Sequence, residues 1–178
     1  MKPLHEQYAT ALFEVSQQRG AEDIILFQMK EVRALLEQNP EYVNILSAPE
    51  NPVEERLALI SDAFSGADEY LLNFLKILTE NKCIDEFSKC TDYFSSLYDR
   101  EKEILRAKAI TALPLDEKQK TALCEKLGKK TGKKVYLTNE IRQSLIGGIV
   151  LEWDGEQIDK SLRSALNTIG NLISDSDI

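Results

Sequence analysis

The segment from Ser144 to Arg163 constrains the fold most strongly, because it joins strand, turn and helix signals in a short length of chain. Residues 149–153 (Ile-Val-Leu-Glu-Trp) are mostly of types that suit a pleated strand. Asp154 and Gly155 form a dipeptide that favours a two-residue hairpin turn, since glycine adopts positive φ without a steric penalty. Asp159 is then predicted to open a final helix, because apolar residues follow it at helical spacing: Leu162, Leu166, Ile169 and Ile173.

Gly147 and Gly148 stand before this hairpin and allow two interpretations. Glycine in a strand often marks a bulge or the close approach of another backbone. A phosphate-binding loop would instead need the lysine and serine of a P-loop, or the third glycine of a dinucleotide-binding turn, and would lead into a helix. The pair lacks those residues and leads into a strand, so a structural role in a sheet is favoured.

The first hundred residues carry apolar stripes at helical spacing, interrupted by glycine and proline. Gly20 and the Asn39-Pro40 dipeptide are predicted to end the first and second helices. Asn51 is predicted to cap the fourth helix, with Glu54 completing a capping box. These signals predict an N-terminal six-helix bundle, with helices over residues 4–19, 21–38, 41–47, 52–65, 68–81 and 83–103.

The pattern changes near Ile104 to that of a smaller α+β unit. Alternation over residues 105–111 predicts a strand, and Asp116 with Gln119 predicts a capped helix that ends at Gly128 or Gly132. Residues 134–137 predict a second strand, before the hairpin and final helix described above. The predicted fold class is therefore α+β: a six-helix bundle over residues 1–104 and a small α/β domain over residues 105–178, with a short sheet and two helices.

The charge balance restricts the class of partner. The net charge is −8 and the isoelectric point is about 4.8. This argues against binding to nucleic acid or directly to an anionic membrane, both of which require a basic surface. Neither a membrane-spanning apolar run nor a signal peptide is evident, so the sequence predicts a protein kept on the cytoplasmic side.

Residues with catalytic or metal-binding chemistry are sparse. His5 is the only histidine, which removes metal sites with two histidine ligands and any dyad away from the N-terminus. Cys83, Cys90 and Cys124 form no CxxC motif and are interpreted as free thiols. No cofactor, metal or catalytic residue is predicted. A lysine cluster at residues 129–130 and 133–134 is either a solvated loop or an anchor for an acidic partner.

The predicted fifth helix is apolar on more than one side, and the first helix carries a stripe that begins at Tyr8. Such stripes form either the core of a bundle or a groove that accepts a partner helix. The periodicity alone leaves both interpretations open.

Several motifs, in their order and spacing, resemble the delta subunit of F-type ATP synthases, the family of the oligomycin-sensitivity-conferring protein. The strongest is the run from Ser144 to Val150 followed by Ile158-Asp159-x-Ser161-Leu162-Arg163. Arg142, Lys160 and Lys82 depart from residues common in the family, beside the motifs and not in their glycines. The remaining matches are Tyr8-Ala9-x-Ala11-Leu12-Phe13, Asn39-Pro40, Pro49, Asn73-Phe74-Leu75 with Leu78 and Asn81, and Ala112-x-Pro114-Leu115.

The resemblance implies a non-catalytic stator subunit that links the catalytic head to the b-type peripheral-stalk subunits, so that rotary ion transport is coupled to ATP synthesis. It implies that the bundle holds the N-terminal helix of an alpha subunit and that the C-terminal domain holds the b-type subunits. A groove for the alpha helix is then expected at Tyr8, Ala11, Val15, Phe74 and Ile77. The expected C-terminal signature residues are Gly147, Gly148, Asp159 and Ser161.

Location follows from the complex in this interpretation. The chain is expected on the cytoplasmic face of a bacterial plasma membrane, or on the stromal face of a thylakoid, and to reach the membrane only through the complex. Two other classes stay open from the sequence: a generic acidic helical adaptor, and a nucleotide-dependent regulator or enzyme that uses Gly147 and Gly148 near Asp159.

Overall fold

A computed structural model describes residues 3–161 of the chain. The chain divides into two compact units, Met1–Arg100 and Glu101–Ile178. The described elements are α1 (Leu4–Arg19), α2 (Glu22–Gln38), α3 (Pro40–Ser47), α4 (Val53–Ala63), α5 (Glu69–Glu80), a 3₁₀ turn (Ile84–Glu86), α6 (Phe87–Glu101), β1 (Ile104–Thr111), α7 (Glu117–Thr131), β2 (Lys134–Ile141), a 3₁₀ turn (Gln143–Leu145), β3 (Gly148–Trp153) and β4 (Glu156–Ser161). The α+β class predicted from the sequence is confirmed.

The six helices of the first unit share one apolar core. In α1, α2, α5 and α6 the buried side chains recur at helical spacing, which is why the stripes in the sequence located these helices, whereas α3 contributes Leu46 alone. Full burial of one of the larger apolar side chains stabilises the folded state by about 1.5–3 kcal/mol. Representative members, one from each helix in chain order, are Leu12, Met29, Leu46, Ile60, Leu75 and Phe94.

The helix ends of this unit test the predicted stop and start signals. Gly20 ends α1 in the left-handed conformation with φ 62°, and its N–H donates to the carbonyl of Gln17 at 3.0 Å. The predicted capping box at α4 is wrong. Pro52 holds the capping position without a side-chain hydrogen bond, and α4 begins at Val53. The Asn51 amide instead donates to the carbonyl of Ile45 at 3.0 Å, so it satisfies the end of α3 rather than the start of α4.

The second unit contains a four-stranded sheet in the order β2-β1-β3-β4. β1 and β2 are parallel and α7 connects them, whereas β3 is antiparallel to both β1 and β4. The capping box predicted for α7 is confirmed: Asp116 accepts from the backbone N–H of Gln119 at 2.7 Å, and the Gln119 side chain accepts from Asp116 at 3.0 Å. Gly132, not Gly128, ends α7, with φ 73°.

One face of this sheet packs against α7. Leu105 and Ala107 of β1 and Trp153 of β3 form a buried cluster with Leu127 of α7. A smaller cluster on the opposite face joins Ile110 and Val150 to residue Leu145 of the second 3₁₀ turn. The sheet is therefore buried on the α7 side at β1 and at the end of β3, and on its other side near the start of β3.

The hairpin at Asp154 and Gly155 is confirmed, and both residues have positive φ, 45° and 80°. The predicted helix start at Asp159 is wrong, because Asp159 lies within β4 opposite Val150. The two-residue turn places Glu156 of β4 directly opposite Trp153 of β3. Backbone pairing then continues as far as Ser161 opposite Gly148. The rest of the predicted final helix, Leu162 to Ile173, lies outside the described residues.

Candidate docking site

Helices α1 and α5 pack against each other and contain all five residues of the predicted groove. The structure brings Tyr8 and Phe74 together: their ring centroids are 6.4 Å apart and their planes are nearly perpendicular, at 82°. Phe74 is buried and also lies 6.2 Å from the ring of Phe87. Edge-on aromatic pairs of this kind contribute about 0.5–1.5 kcal/mol beyond the area that they bury. Phe74 therefore belongs to the core beneath the surface between α1 and α5.

The other three predicted residues lie nearer the solvent. Ala11 is exposed, Val15 is half-buried, and Ile77 keeps 43% of its surface exposed. The five residues thus differ in burial. Phe74 is buried, Tyr8 and Val15 are half-buried, and Ala11 and Ile77 are exposed. Apolar side chains at these exposed and half-buried positions supply area that a partner helix can cover.

Side-chain contacts at both ends of α1 join this helix to its neighbours. His5 lies 3.4 Å from the Glu86 carboxylate. Arg19, in the last turn of α1, lies 3.7 Å from Asp68 and 3.5 Å from Glu69, at the start of α5. The Arg19 guanidinium also lies 4.4 Å from the centre of the Tyr70 ring. Exposed ion pairs contribute about 0–1 kcal/mol each, so their main effect is on the alignment of α1 with α5.

Lys89 acts on the N-terminal end of α1 through Glu86, the residue that contacts His5. The hydrogen bond from the Lys89 ammonium lowers the pKa of the Glu86 carboxyl, and the nearby His5 lowers it further. The carboxylate form is therefore favoured next to His5. Arg19 and Glu86 give no signal in the sequence, because their partners lie far away along the chain.

Arg56 holds the far end of α5. Its side chain is 1% exposed, and its Nη1 donates to the carbonyls of Leu46 at 2.9 Å and Thr79 at 2.7 Å. These carbonyls lie in the last turns of α3 and α5, where carbonyl groups lack helical partners and the helix dipole favours a cation. Arg56 thus joins the C-terminal ends of two helices. An arginine within an amphipathic helix gives no signal in the sequence that separates this role from ordinary solvent exposure.

The C-terminal signature residues lie together at one end of the sheet. Gly148 begins β3 with φ 85°, a conformation that glycine tolerates and other residues rarely adopt. In the register of β3 and β4, Gly148 faces Ser161 and Val150 faces Asp159. Gly147 precedes the strand, and its N–H donates to the carbonyl of Leu145 at 2.5 Å. The glycine pair therefore forms the connection from a 3₁₀ turn into an internal strand.

Arg142, where the sequence departs from the family pattern, has defined contacts. Its backbone N–H donates to Thr111 at 2.8 Å, which extends the pairing of β1 and β2 by one residue. Its guanidinium donates to Glu140 at 2.7 Å, and Lys108 lies 3.3 Å from the same carboxylate. The Arg142 hydrogen bond, followed by that of Lys108, lowers the pKa of the Glu140 carboxyl. Arginine is therefore compatible with the local geometry.

The described residues contain few groups with reactive chemistry. Burial raises the pKa of the Cys90 thiol to about 12, so this cysteine stays protonated at neutral pH. Within residues 3–161, no group of three or more histidine, cysteine, aspartate or glutamate side chains could hold a metal ion. Over the same residues, no helix is both long enough and apolar enough to span a membrane.

Comparison with known proteins identifies the family. A model of the ATP synthase delta (OSCP) subunit matches residues 4–173. The chain belongs to this family. The delta subunit of Leuconostoc citreum ATP synthase is 31% identical over 93% of this chain and 93% of its own length. That of Lactobacillus gasseri is 33% identical over 92% of this chain and 90% of its own length.

A solved structure supports the fold of this delta-family chain. A chain in the cryo-EM structure of the Toxoplasma gondii mitochondrial ATP synthase hexamer superposes with a TM-score of 0.70 at 21% identity. The match covers 97% of this chain and 98% of the other. At this level of identity the likeness concerns the fold alone.

Membership of the delta family defines the general role of the chain. It is a structural component of the peripheral stalk of an F-type ATP synthase, and it is not a catalytic subunit. It functions within a membrane-associated complex that contains the catalytic head and the stalk. This assignment confirms the predicted stator function and replaces the generic adaptor and the nucleotide-dependent regulator.

Proposed function

We propose that the surface between α1 and α5 holds the N-terminal helix of an alpha subunit of the catalytic head. The observation that carries this proposal is the pairing of Tyr8 with Phe74 between the two helices, with Ile77 left 43% exposed on α5. Ala11 and Val15 supply further apolar area on α1. A surface with a rigid aromatic floor and exposed aliphatic groups suits the apolar face of an amphipathic helix.

The binding free energy available at such a site is large enough for the long-lived attachment that a stator requires. Full burial of one large apolar side chain contributes about 1.5–3 kcal/mol, and a few central residues usually supply most of the binding energy. Differences in affinity among related complexes arise mostly from the dissociation rate. A few well-packed anchors therefore give a long-lived attachment without any charged contact at the centre of the site.

We also propose that the two parts of the chain bind different subunits. Residues 1–104 act as a six-helix bundle that binds the alpha subunit, and residues 105–178 act as the domain that binds the C-terminal ends of the b-type stalk subunits. Gly147, Gly148, Asp159 and Ser161 shape the sheet of that second domain. The resulting tether keeps the catalytic head from turning with the rotor. The bacterial relatives support a position on the cytoplasmic face of a bacterial plasma membrane.

Ile77→Asp is expected to weaken binding of a peptide from the alpha-subunit N-terminus by about 30-fold or more. The substitution removes an apolar anchor and forces a docked helix to desolvate a carboxylate, for a combined cost of about 2–4 kcal/mol. Isothermal titration of the full-length chain with the peptide measures the effect. The matched control is Ile24→Asp, which introduces the same charge at an exposed isoleucine of α2.

The control variant should bind the peptide like the wild type. Equal losses in both variants would indicate a general electrostatic effect of added negative charge. Unchanged affinity in a folded Ile77→Asp chain would contradict the proposed position of the site.

A further inference from the structure

Strand β2 lies at an edge of the four-stranded sheet, and β1 is its only partner strand among residues 3–161. The backbone N–H groups of Lys134 and Arg142 donate toward β1, to the carbonyls of Glu103 and Thr111 at 2.8 Å each. In a parallel ladder, alternate residues of a strand direct both backbone groups to the same neighbour. The even-numbered residues of β2 therefore face β1. Its odd-numbered residues direct their N–H and C=O groups outward: Val135, Leu137, Asn139 and Ile141.

The two edges of the sheet differ in how they are protected against further pairing. Natural edge strands are usually short, charged, bulged or interrupted by proline, because an open edge is a template for another strand. At the other edge, β4 has 6 residues and carries charges at Glu156, Asp159 and Lys160. β2 has 8 residues without proline, and its charges stand near its ends, at Lys134 and Glu140. The β2 edge is therefore the longer and the less protected of the two.

Apolar side chains lie along this open edge. Ile141 is 52% exposed and Tyr136 is 45% exposed, on opposite faces of the strand. Val135 and Leu137 are half-buried and pack against the buried cluster that includes Leu127 of α7. Helix α7 thus covers one face of β2 and leaves its outer edge open, so that another strand can pair there and cover the remaining apolar surface.

A second copy of the same strand complements this edge in charge and in side-chain type. When two copies of β2 pair antiparallel with Leu137 at the centre, Lys134 of each copy lies opposite Glu140 of the other. Tyr136 of each copy then lies opposite Thr138, and Leu137 lies opposite its own counterpart. Opposite charges and aromatic–β-branched pairs directly across two strands stabilise a sheet. The register centred on Leu137 therefore pairs each charge of the strand with an opposite charge.

The same register also pairs the outward backbone groups. These groups face each other where Val135 lies opposite Asn139, on both sides of the axis, and where Leu137 lies opposite its counterpart. Each such pair exchanges two hydrogen bonds in an antiparallel ladder, so the pairing adds about six. A register centred one residue later would instead place Lys134 opposite Arg142, and like charges directly opposite each other destabilise a sheet. Charge therefore selects one register.

We propose that the outer edge of β2 is a self-association surface, at which two free copies of the chain pair antiparallel about Leu137. Each copy uses the same edge across a two-fold axis, and the charged β4 edge disfavours further growth of the sheet, so association stops at the dimer. One strand pair is a small interface, so a dissociation constant of about 10–100 µM is expected. The dimer concerns the chain before it enters the ATP synthase, and it is independent of the surfaces proposed for the alpha and b-type subunits.

Sedimentation velocity of the full-length chain at about 5–500 µM measures this association. Salt at about 0.15 M screens the repulsion between two copies that each carry a net charge of −8. The wild-type chain is expected to shift from monomer to dimer across this range. Lys134→Glu places two carboxylates opposite each other and is expected to weaken the dimer about tenfold or more. The matched control is Lys30→Glu, which makes the same charge change at an exposed lysine of α2 and should leave the association unchanged.

A mixture of two variants tests the register. Glu140→Lys places two lysines opposite each other and is expected to weaken the dimer of that variant alone. In a mixed dimer with Lys134→Glu, both cross-strand pairs again join opposite charges, so an equimolar mixture is expected to associate like the wild type. A wild-type chain that stays monomeric at about 500 µM would overturn the proposal. Equal weakening by Lys134→Glu and Lys30→Glu, or a mixture of the two folded variants that does not associate, would overturn it as well.

Amide hydrogen exchange of the wild-type chain provides a second test that needs no variant. The outward N–H groups of Val135, Leu137 and Asn139 are expected to exchange about threefold more slowly, or slower still, at about 500 µM than at about 10 µM. The N–H groups of Tyr136 and Thr138 already face β1, so their exchange rates are expected to change little. Outward amides that exchange at the same rate at both concentrations would overturn the proposal.

Discussion

Phe74→Ala is expected to destabilise the first unit by about 3–5 kcal/mol, because it removes a buried aromatic ring and leaves a cavity between α1, α5 and α6. Phe74 is 5% exposed and contacts the rings of both Tyr8 and Phe87. The loss should also reduce binding of the alpha-subunit peptide, since Tyr8 would no longer have a ring to pack against. Denaturant unfolding followed by circular dichroism at a helical wavelength measures the change.

Two comparisons make this result specific. Asn73→Ala alters the exposed neighbour of Phe74 on α5 and should change the free energy of unfolding by less than about 0.5 kcal/mol. Trp153 fluorescence, which reports on the second unit, should show the same transition in the Phe74 variant as in the wild type. A loss below about 1 kcal/mol in Phe74→Ala would contradict the placement of this ring in the core.

Arg56→Met is expected to destabilise the first unit by about 2–5 kcal/mol. Methionine fills much of the same space but donates no hydrogen bond, so the carbonyls of Leu46 and Thr79 lose their charged donor. The Thr79 carbonyl keeps the backbone N–H of Lys82 at 3.2 Å, so the expected cost is that of the two lost hydrogen bonds from a charged donor, about 1.5–3 kcal/mol each. Because Thr79 lies in the last turn of α5, the variant should also loosen the helix that carries Ile77. The same circular dichroism experiment measures the change.

The opposite sign is physically possible, which makes the experiment informative. Replacement of a buried charge by an apolar side chain is sometimes neutral or stabilising, since the charge no longer has to be desolvated. The Arg56 Nε has no hydrogen-bond partner within the described residues, so part of that desolvation is uncompensated. A variant as stable as the wild type would show that desolvation outweighs the two carbonyl contacts and would contradict the role given to Arg56.

Arg33→Met provides the control for the removal of a guanidinium. Arg33 is one-third exposed and donates to Glu37 at 2.7 Å and to Asp92 at 2.5 Å. Both hydrogen bonds raise the pKa of its guanidinium, Glu37 first, so it stays charged. Surface ion pairs contribute about 0–1 kcal/mol, and we expect a loss in that range. The difference between the two arginine variants isolates the effect of burial.

The helices were predictable from the sequence because their buried positions recur at a fixed spacing. Residues such as Leu12 and Phe94 mark the inner faces, and Gly20 marks an end through a backbone conformation that few other residues adopt. Asp116 and Gln119 were readable for a similar reason, since both partners of that capping box lie within one helical turn.

The sequence prediction was wrong where pairing with a neighbouring strand decides the structure of a residue. The second strand was predicted to stop at Leu137, yet β2 continues to Ile141, because its parallel pairing with β1 continues to Thr111. Asn139 even supports that pairing, with its amide donating to the carbonyl of Ala109 at 2.9 Å. Asp159 failed similarly: its pairing with β3 overrides its preference for a helix start.

The candidate site was predictable in part. Tyr8 and Phe74 stand out as aromatic members of two apolar stripes, and the family resemblance joins those stripes. The sequence could not separate the buried Phe74 from the exposed Ile77, because neighbouring helix positions differ in burial only once the other helices are placed. Arg19 and Arg56 were missed, since their partners are distant in the chain.

The most direct test of the central claim is amide NMR chemical-shift mapping of the full-length chain with a peptide from the alpha-subunit N-terminus. We expect saturable shifts centred on Tyr8, Ala11, Val15 and Ile77, with the residues of the sheet unaffected. Shifts confined to α2, α3 or the sheet, or no shifts at saturating peptide, would contradict a docking site between α1 and α5.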